Sequence, residues 1–182
     1  MLESIFKVFI ARKEFFLELL LEHIQISIIS ITLAMVIGLV IGFVISEFKK
    51  STKVVLGIVN SVYTIPSISL LGFLIPITGI GNKTAIIALT IYALLPMVRN
   101  THAGLTNINP LLVEAAIGMG STKMQVLLKI KLPLAMPIII AGVRNMAVMT
   151  IALAGIASFI GAGGLGVAIY RGITTNNKAM TI

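Results

Sequence analysis

Four apolar runs separated by short polar stretches dominate this chain. Ile24 to Ile45 contains no charged residue, and a helix needs about 20 such residues to cross the hydrocarbon layer of a bilayer. Val54 to Ile80 is the second run; it carries Pro66 and Pro76, which predicts a kink or a break into a helix and a re-entrant turn. Thr84 to about Ile108 is the third, kinked near Pro96, and the fourth opens at Pro133 and reaches about Ile160. The predicted spans are therefore about 24–45, 54–80, 84–108 and 133–160. Gly38 and Gly42 stand at GxxxG spacing in the first span, which lets another helix approach closely. The tail GAGGLGVAIYRGITTNNKAMTI begins glycine-rich and ends where a further helix could start.

Residues 1–23 follow a different pattern. Phe6, Phe9, Phe15, Phe16, Leu19 and Leu20 alternate with Lys7, Arg12, Lys13, Glu14, Glu18 and Glu22. This fits an amphipathic segment lying at the membrane interface, with an extension of the first span as the alternative.

Composition makes lipid the solvent. Of 182 residues, 58% are hydrophobic and 11% charged, and the mean hydropathy is +1.10. A water-soluble fold of this length needs more polar surface to cover its core, so the expected class is an all-α polytopic membrane protein. The net charge of +8 comes without tryptophan and without aromatic–basic interleaving, which argues against nucleic acid and for topology-setting loops. Zero cysteines exclude disulfides and thiolate chemistry. The first apolar run is too long for a secretory signal and lacks a small-residue cleavage site.

The lysines set an orientation. Lys49, Lys50 and Lys53 lie between the first two spans, and Lys123, Lys129 and Lys131 between the last two; the middle loop holds only Lys83. Basic loops stay inside, so residues 46–53 and 109–132 are expected in the cytoplasm and the N-terminus outside.

Residues 109–132 are a semi-polar island between apolar runs. Asn109-Pro110 reads as an N-cap followed by proline at the first helical position. Leu112, Ala115 or Ala116, and Met119 recur at helical spacing as one apolar stripe. Glu114 is expected in the early turns, near the positive helix end. Gly120 suits a left-handed helix terminus, Thr122 with Gln125 forms a capping-box pair for a second helix, and Pro133 opens the next span. Two short helices at an angle, with apolar surface showing outside the membrane, call for another protein to cover them.

The pattern Glu114-Ala115-Ala116, three residues, Gly120, nine residues, Ile130, one residue, Leu132-Pro133 resembles the EAA coupling loop of permease subunits of ATP-binding-cassette importers. YTIPSISLLGFLIPITGIG, YALLPMVRNTHAGLTNI and FIGAGGLG are similar to the osmoprotectant permeases for glycine betaine, carnitine or choline. The resemblance runs over about residues 24–178. It implies that Glu114, Ala115, Ala116, Gly120, Ile130 and Pro133 couple to a separate ATPase subunit, whose closure the loop passes to the membrane helices. It further implies a second permease subunit as a homo- or heterodimer, an extracytoplasmic binding protein, a bacterial cell-membrane location and another span beyond Ile182.

Other motifs carry less. Gly161-Ala162-Gly163-Gly164-Leu165-Gly166 matches the dinucleotide pattern GxGxxG, yet no acidic residue follows Glu114 to bind a ribose; these glycines instead predict a turn at the outer face. Gly118 to Lys123 lacks Walker spacing, so ATP is not bound here. His23 and His102 have no neighbouring ligands at metal spacing and aspartate is absent, so neither metal, cofactor nor enzyme activity is expected. The spans contain no acidic residue, unlike proton-driven transporters, which places the energy source in another subunit. Arg99 and Arg144 are the ionised groups within the spans; snorkelling accounts for both, and the sharper reading puts them at the inner mouth of a translocation path. Tyr63, Pro66, Tyr92 and Pro96 are candidates for the same path, with the two prolines letting the helices rock. Tyr63, Phe73, Tyr92 and Phe159 are too scattered in sequence to form a cation–π cage. The expected activity is inward movement of a compatible solute by alternating access. The alternatives are methionine or another amino acid as cargo, and a passive channel or structural membrane protein.

Overall fold

A computed structural model describes residues 2–177 and Met180, and the apolar runs in it are helical. The helices are α1 (Leu2–Ala11), α2 (Lys13–Glu47), α3 (Lys49–Tyr63), α4 (Ser67–Thr78), α5 (Asn82–Thr106), α6 (Pro110–Gly118), α7 (Lys123–Val126), α8 (Leu132–Ala154) and α9 (Gly166–Thr174), with a 3-10 turn at Ile156–Ile160. Among the described residues, three stretches are long and apolar enough to span a bilayer: Lys13–Glu47, Asn82–Thr106 and Lys123–Ala154. The bent pair α3–α4 makes a fourth if it is counted as one span.

The break expected in the run 54–80 falls at Pro66, where α3 and α4 meet at 96° across Thr64–Pro66. Pro66 has no N–H to continue α3 and restricts Ile65 to extended backbone, whereas Pro76 is accommodated inside α4. Pro133 is the second residue of α8, next to the start expected for the fourth run, and the helical stretch extends back to Lys123. A π-helical turn at Leu127–Lys131 joins α7 to α8, with the Leu132 N–H bonded five residues back to the Leu127 carbonyl. In a regular α-helix the Pro133 ring would strike the carbonyl four residues earlier, and the wider turn makes room for it. The segment 1–23 is divided between α1 and the first turns of α2, which runs on without a break to Glu47.

The bundle centres on α5, held between α2 and α8 by glycines. A Cβ at Gly38 would come within 2.7 Å of Met97 Cβ, one at Gly42 within 2.6 Å of Thr101 Cβ, and one at Gly142 within 2.6 Å of Asn100 Cβ. Lipid supplies no hydrophobic drive between helices, so close backbone approach and van der Waals contact hold them together. The core between these helices is accordingly small-residue-rich: Ala34, Ala93 and Ala135 surround Met97 and Met146.

The glycine-rich turn caps the far end. Gly163 N–H donates to Asn82 Oδ1 at 2.8 Å and Gly164 N–H to Glu22 Oε2 at 3.1 Å. A side chain at Gly163 would collide with the Glu22 carboxylate. These glycines therefore form a docked turn that ties α9 to α2 and α5.

Candidate functional site

At one end of the bundle the chain builds a projecting knob from α6 and α7. Asn109 Oδ1 accepts from the Leu111 N–H at 3.0 Å and Pro110 occupies the first turn, so α6 begins where the sequence predicts. It ends in a paired hydrogen-bond motif: Gly120 N–H donates to the Ile117 carbonyl at 2.9 Å and Ser121 N–H to the Ala116 carbonyl at 3.0 Å. That closure needs a left-handed residue, and Gly120 supplies it at φ 86°. Thr122 then starts α7 with a reciprocal capping box: its N–H donates to Gln125 Oε1 at 2.8 Å, and Gln125 N–H donates to Thr122 Oγ1 at 3.3 Å. Both helices are thus terminated by their own side chains, and the angle between them is fixed by one glycine.

The knob's surface differs from the expected one in two ways. Ala116 is buried, turned toward α7 and the π-helical turn, so its small size serves packing inside the knob; Ala115 is exposed. Glu114 is the fifth residue of α6 rather than part of its first turn, beyond the reach of the positive helix end. Its carboxylate is exposed and free to meet a partner. Ile130 is half-buried and Pro133 exposed on the connecting arm. Leu111, Leu112, Ile117, Met119 and Met124 are exposed around the same tip.

Lys131 Nζ lies 2.8 Å from Glu47 Oε1, which ties the knob's arm to the end of α2 and places loops 46–53 and 109–132 on the same side of the bundle. No sequence spacing identifies this pair, because its members lie on separate helices.

The other candidates fall at the helix break. Tyr63, Pro66 and Tyr92 line one cleft of about 330 Å³ together with Thr64, Ser67 and Met149. The tyrosine rings meet edge to face with centroids 5.9 Å apart, so two of the four aromatics expected to be scattered are in contact. Phe73 lies exposed on α4 and Phe159 pairs with Tyr170 instead. Pro96 sits within α5, one turn beyond Tyr92, and α5 continues through it. Arg99 and Arg144 are both exposed, on α5 and α8 respectively. Thr64, Ser67 and Met149 are not singled out by the sequence, where a methionine in an apolar span reads as ordinary packing.

Residues 25–182 match the family described as binding-protein-dependent transport system inner membrane component. The chain belongs to this family. The choline transport system permease protein OpuBB of Bacillus subtilis is 41% identical over 152 residues, covering 84% of this permease and 70% of that protein. The glycine betaine/carnitine/choline transport system permease protein OpuCB of the same organism matches at the same identity and coverage. The ergothioneine transport permease/ergothioneine binding protein EgtU of Helicobacter pylori is 40% identical over 82% of this chain but only 27% of its own length. Among solved structures, an inward-facing form of the MetNI methionine ABC transporter superposes with a TM-score of 0.79 at 29% identity, covering 86% of this chain and 79% of its own. This permease is thus a multi-pass membrane subunit of an ATP-binding-cassette importer, which works with a substrate-binding protein and with separate ATPase subunits that hydrolyse ATP.

Proposed function

We propose that this permease carries compact quaternary-ammonium solutes of the glycine betaine, carnitine and choline type inward, by alternating access driven from its knob. The observation that carries the mechanism is the capped α6–α7 tip with apolar side chains exposed beside Glu114. Outside the membrane such a surface calls for a protein partner, and an ATPase groove is the partner this family has. Glu114, Ala115, Gly120, Ile130 and Pro133 form the coupling element, with Ala116 holding its two helices together. Two permease subunits, identical or paired with a homologue, enclose the path. Tyr63, Pro66, Tyr92 and Pro96 line it, and Arg99 and Arg144 flank its inner mouth.

The cargo reading rests on the choline and glycine betaine/carnitine/choline permeases at 41% identity. The likeness to a methionine transporter, at 29% identity, favours the second reading, an amino-acid importer. Uptake of labelled choline, glycine betaine, carnitine and methionine by cells expressing the complete system separates them. Saturable uptake of at least one quaternary-ammonium solute is expected, and a preference for methionine would sink the cargo reading while leaving the importer standing.

The knob belongs in the cytoplasm, together with Lys49, Lys50 and Lys53, and the N-terminus outside. Because the chain has no cysteine, single cysteines report topology without background. Lys50→Cys and Lys123→Cys should resist a membrane-impermeant maleimide in sealed cells, while Lys83→Cys should react. Labelling of either of the first two would reverse the orientation.

A further inference from the structure

The break between α3 and α4 leaves open space where a packed bundle would have side chains. The cleft there is open to one side, has a volume of about 330 Å³ and is lined by Tyr63, Thr64, Pro66, Ser67, Tyr92 and Met149, among others. No lining residue carries a charge. Tyr92 is buried and its hydroxyl donates to the Ile65 carbonyl; the Tyr63 hydroxyl donates to Met149 Sδ at 3.1 Å. The Thr64 hydroxyl is likewise committed, donating to the Ser61 carbonyl at 2.7 Å.

Both tyrosine hydroxyls and the Thr64 hydroxyl are thus held in place by bonds within the chain, and the lining offers a ligand ring surface beside hydroxyl oxygens, including that of Ser67. Tyr63 keeps 40% of its surface exposed although its ring is in contact with Tyr92, so part of it stays available. Tyr63 is also the last residue of α3, whose C-terminal end carries negative partial charge. A primary ammonium is strongly hydrated and must shed water to lie against ring surface. A quaternary ammonium has no N–H to satisfy and is attracted to aromatic surface by the ring quadrupole.

We infer that the cleft at the α3–α4 break binds the quaternary ammonium group of a solute in transit, with Tyr63 as the principal contact and Tyr92 holding it in place. Broken helices near the middle of a span are a recurring place for transporter substrate sites. The inference rests on the importer reading and adds to it a specificity-determining site within the permease itself, separate from the binding protein. The site reads the ammonium and not the carboxylate, so choline and glycine betaine should occupy it alike and methionine should not.

The chain has three tyrosines and no tryptophan, so ring-labelled tyrosine gives three signals, from Tyr63, Tyr92 and Tyr170. The test uses the permease with its ATPase subunits in lipid nanodiscs, without binding protein, titrated with tetramethylammonium and separately with methionine. Tetramethylammonium should shift the Tyr63 and Tyr92 resonances saturably and leave Tyr170, which is paired with Phe159, in place. Tyr63→Phe keeps the ring and should keep the Tyr92 shift. Tyr63→Leu should weaken binding about tenfold, the size of one desolvated cation–π contact. No saturable shift, a shift confined to Tyr170, an equal response to methionine, or an undiminished Tyr92 shift in Tyr63→Leu would each overturn the site. A complex that imports labelled choline while its tyrosine signals stay still loses this site but keeps its cargo. Shifts at Tyr63 and Tyr92 in a complex that imports no quaternary-ammonium solute would overturn the transit role together with the cargo reading.

Discussion

Gly42→Leu should leave the permease unable to close its membrane bundle. Even a Cβ at this position would stand 2.6 Å from Thr101 Cβ, 2.9 Å from its Cγ2 and 3.0 Å from the Val98 carbonyl oxygen. Two of the three nearest atoms belong to one β-branched side chain and the third to backbone, so none can swing aside cheaply. The helices α2 and α5 must separate, and with them the contacts that hold α5 at the centre. Overpacking of this kind costs about 1–3 kcal/mol or more, a large share of a typical protein's total stability. Gly72→Leu is the matched control, because nothing lies within 4 Å of a Cβ there. In detergent, Gly42→Leu should give little monodisperse protein and a lowered melting temperature, while Gly72→Leu behaves as wild type. Equal melting of the two variants would contradict the packing of α2 on α5.

Gly120→Val should separate folding from transport. A Cβ at Gly120 meets nothing within 4 Å, so the substitution is sterically free and the cost lies in the backbone. At φ 86° a non-glycine residue costs roughly 1–2 kcal/mol, and β-branching makes that conformation still less accessible. Relieving the strain means giving up the paired bonds from Gly120 and Ser121 that close α6, and with them the angle between α6 and α7. The variant should still insert and melt like wild type, since no membrane helix is touched, yet lose both ATPase co-purification and uptake. Gly118→Ala, inside α6 and also without neighbours, should keep both. Glu114→Lys should weaken the partner contact with little effect on α6 itself, because the carboxylate lies past the first turn.

The parts of this architecture that are written locally could be read from the chain. Asn109-Pro110, Gly120 and the Thr122–Gln125 pair each settle a helix end within a few residues, and each has its predicted hydrogen bonds. The Gly38–Gly42 spacing announced a close helix neighbour, though not that α5 would fill it. What depended on distant partners could not be read. Pro66 and Pro76 look alike in sequence, but at Pro66 the buried Tyr92 satisfies the Ile65 carbonyl exposed by the break. The π-helical turn before Pro133 has no sequence signature, so the continuation of the helix back to Lys123 could not be read. Ala115 and Ala116 differ only in helical phase, and which of them faces inward is decided by how α6 rests on α7. The Tyr63–Tyr92 contact joins the end of α3 to α5, so it appears only once the packing of these two helices is known.

The measurement that tests the account most directly is the ATP dependence of uptake in proteoliposomes containing the permease, its ATPase subunits and the binding protein. With labelled choline and binding protein outside, accumulation should require ATP on the side of the knob, and Gly120→Val should abolish it while leaving protein incorporation unchanged. Choline entry that proceeds without ATP, or that survives Gly120→Val at the wild-type rate, would mean that the knob is not the coupling device.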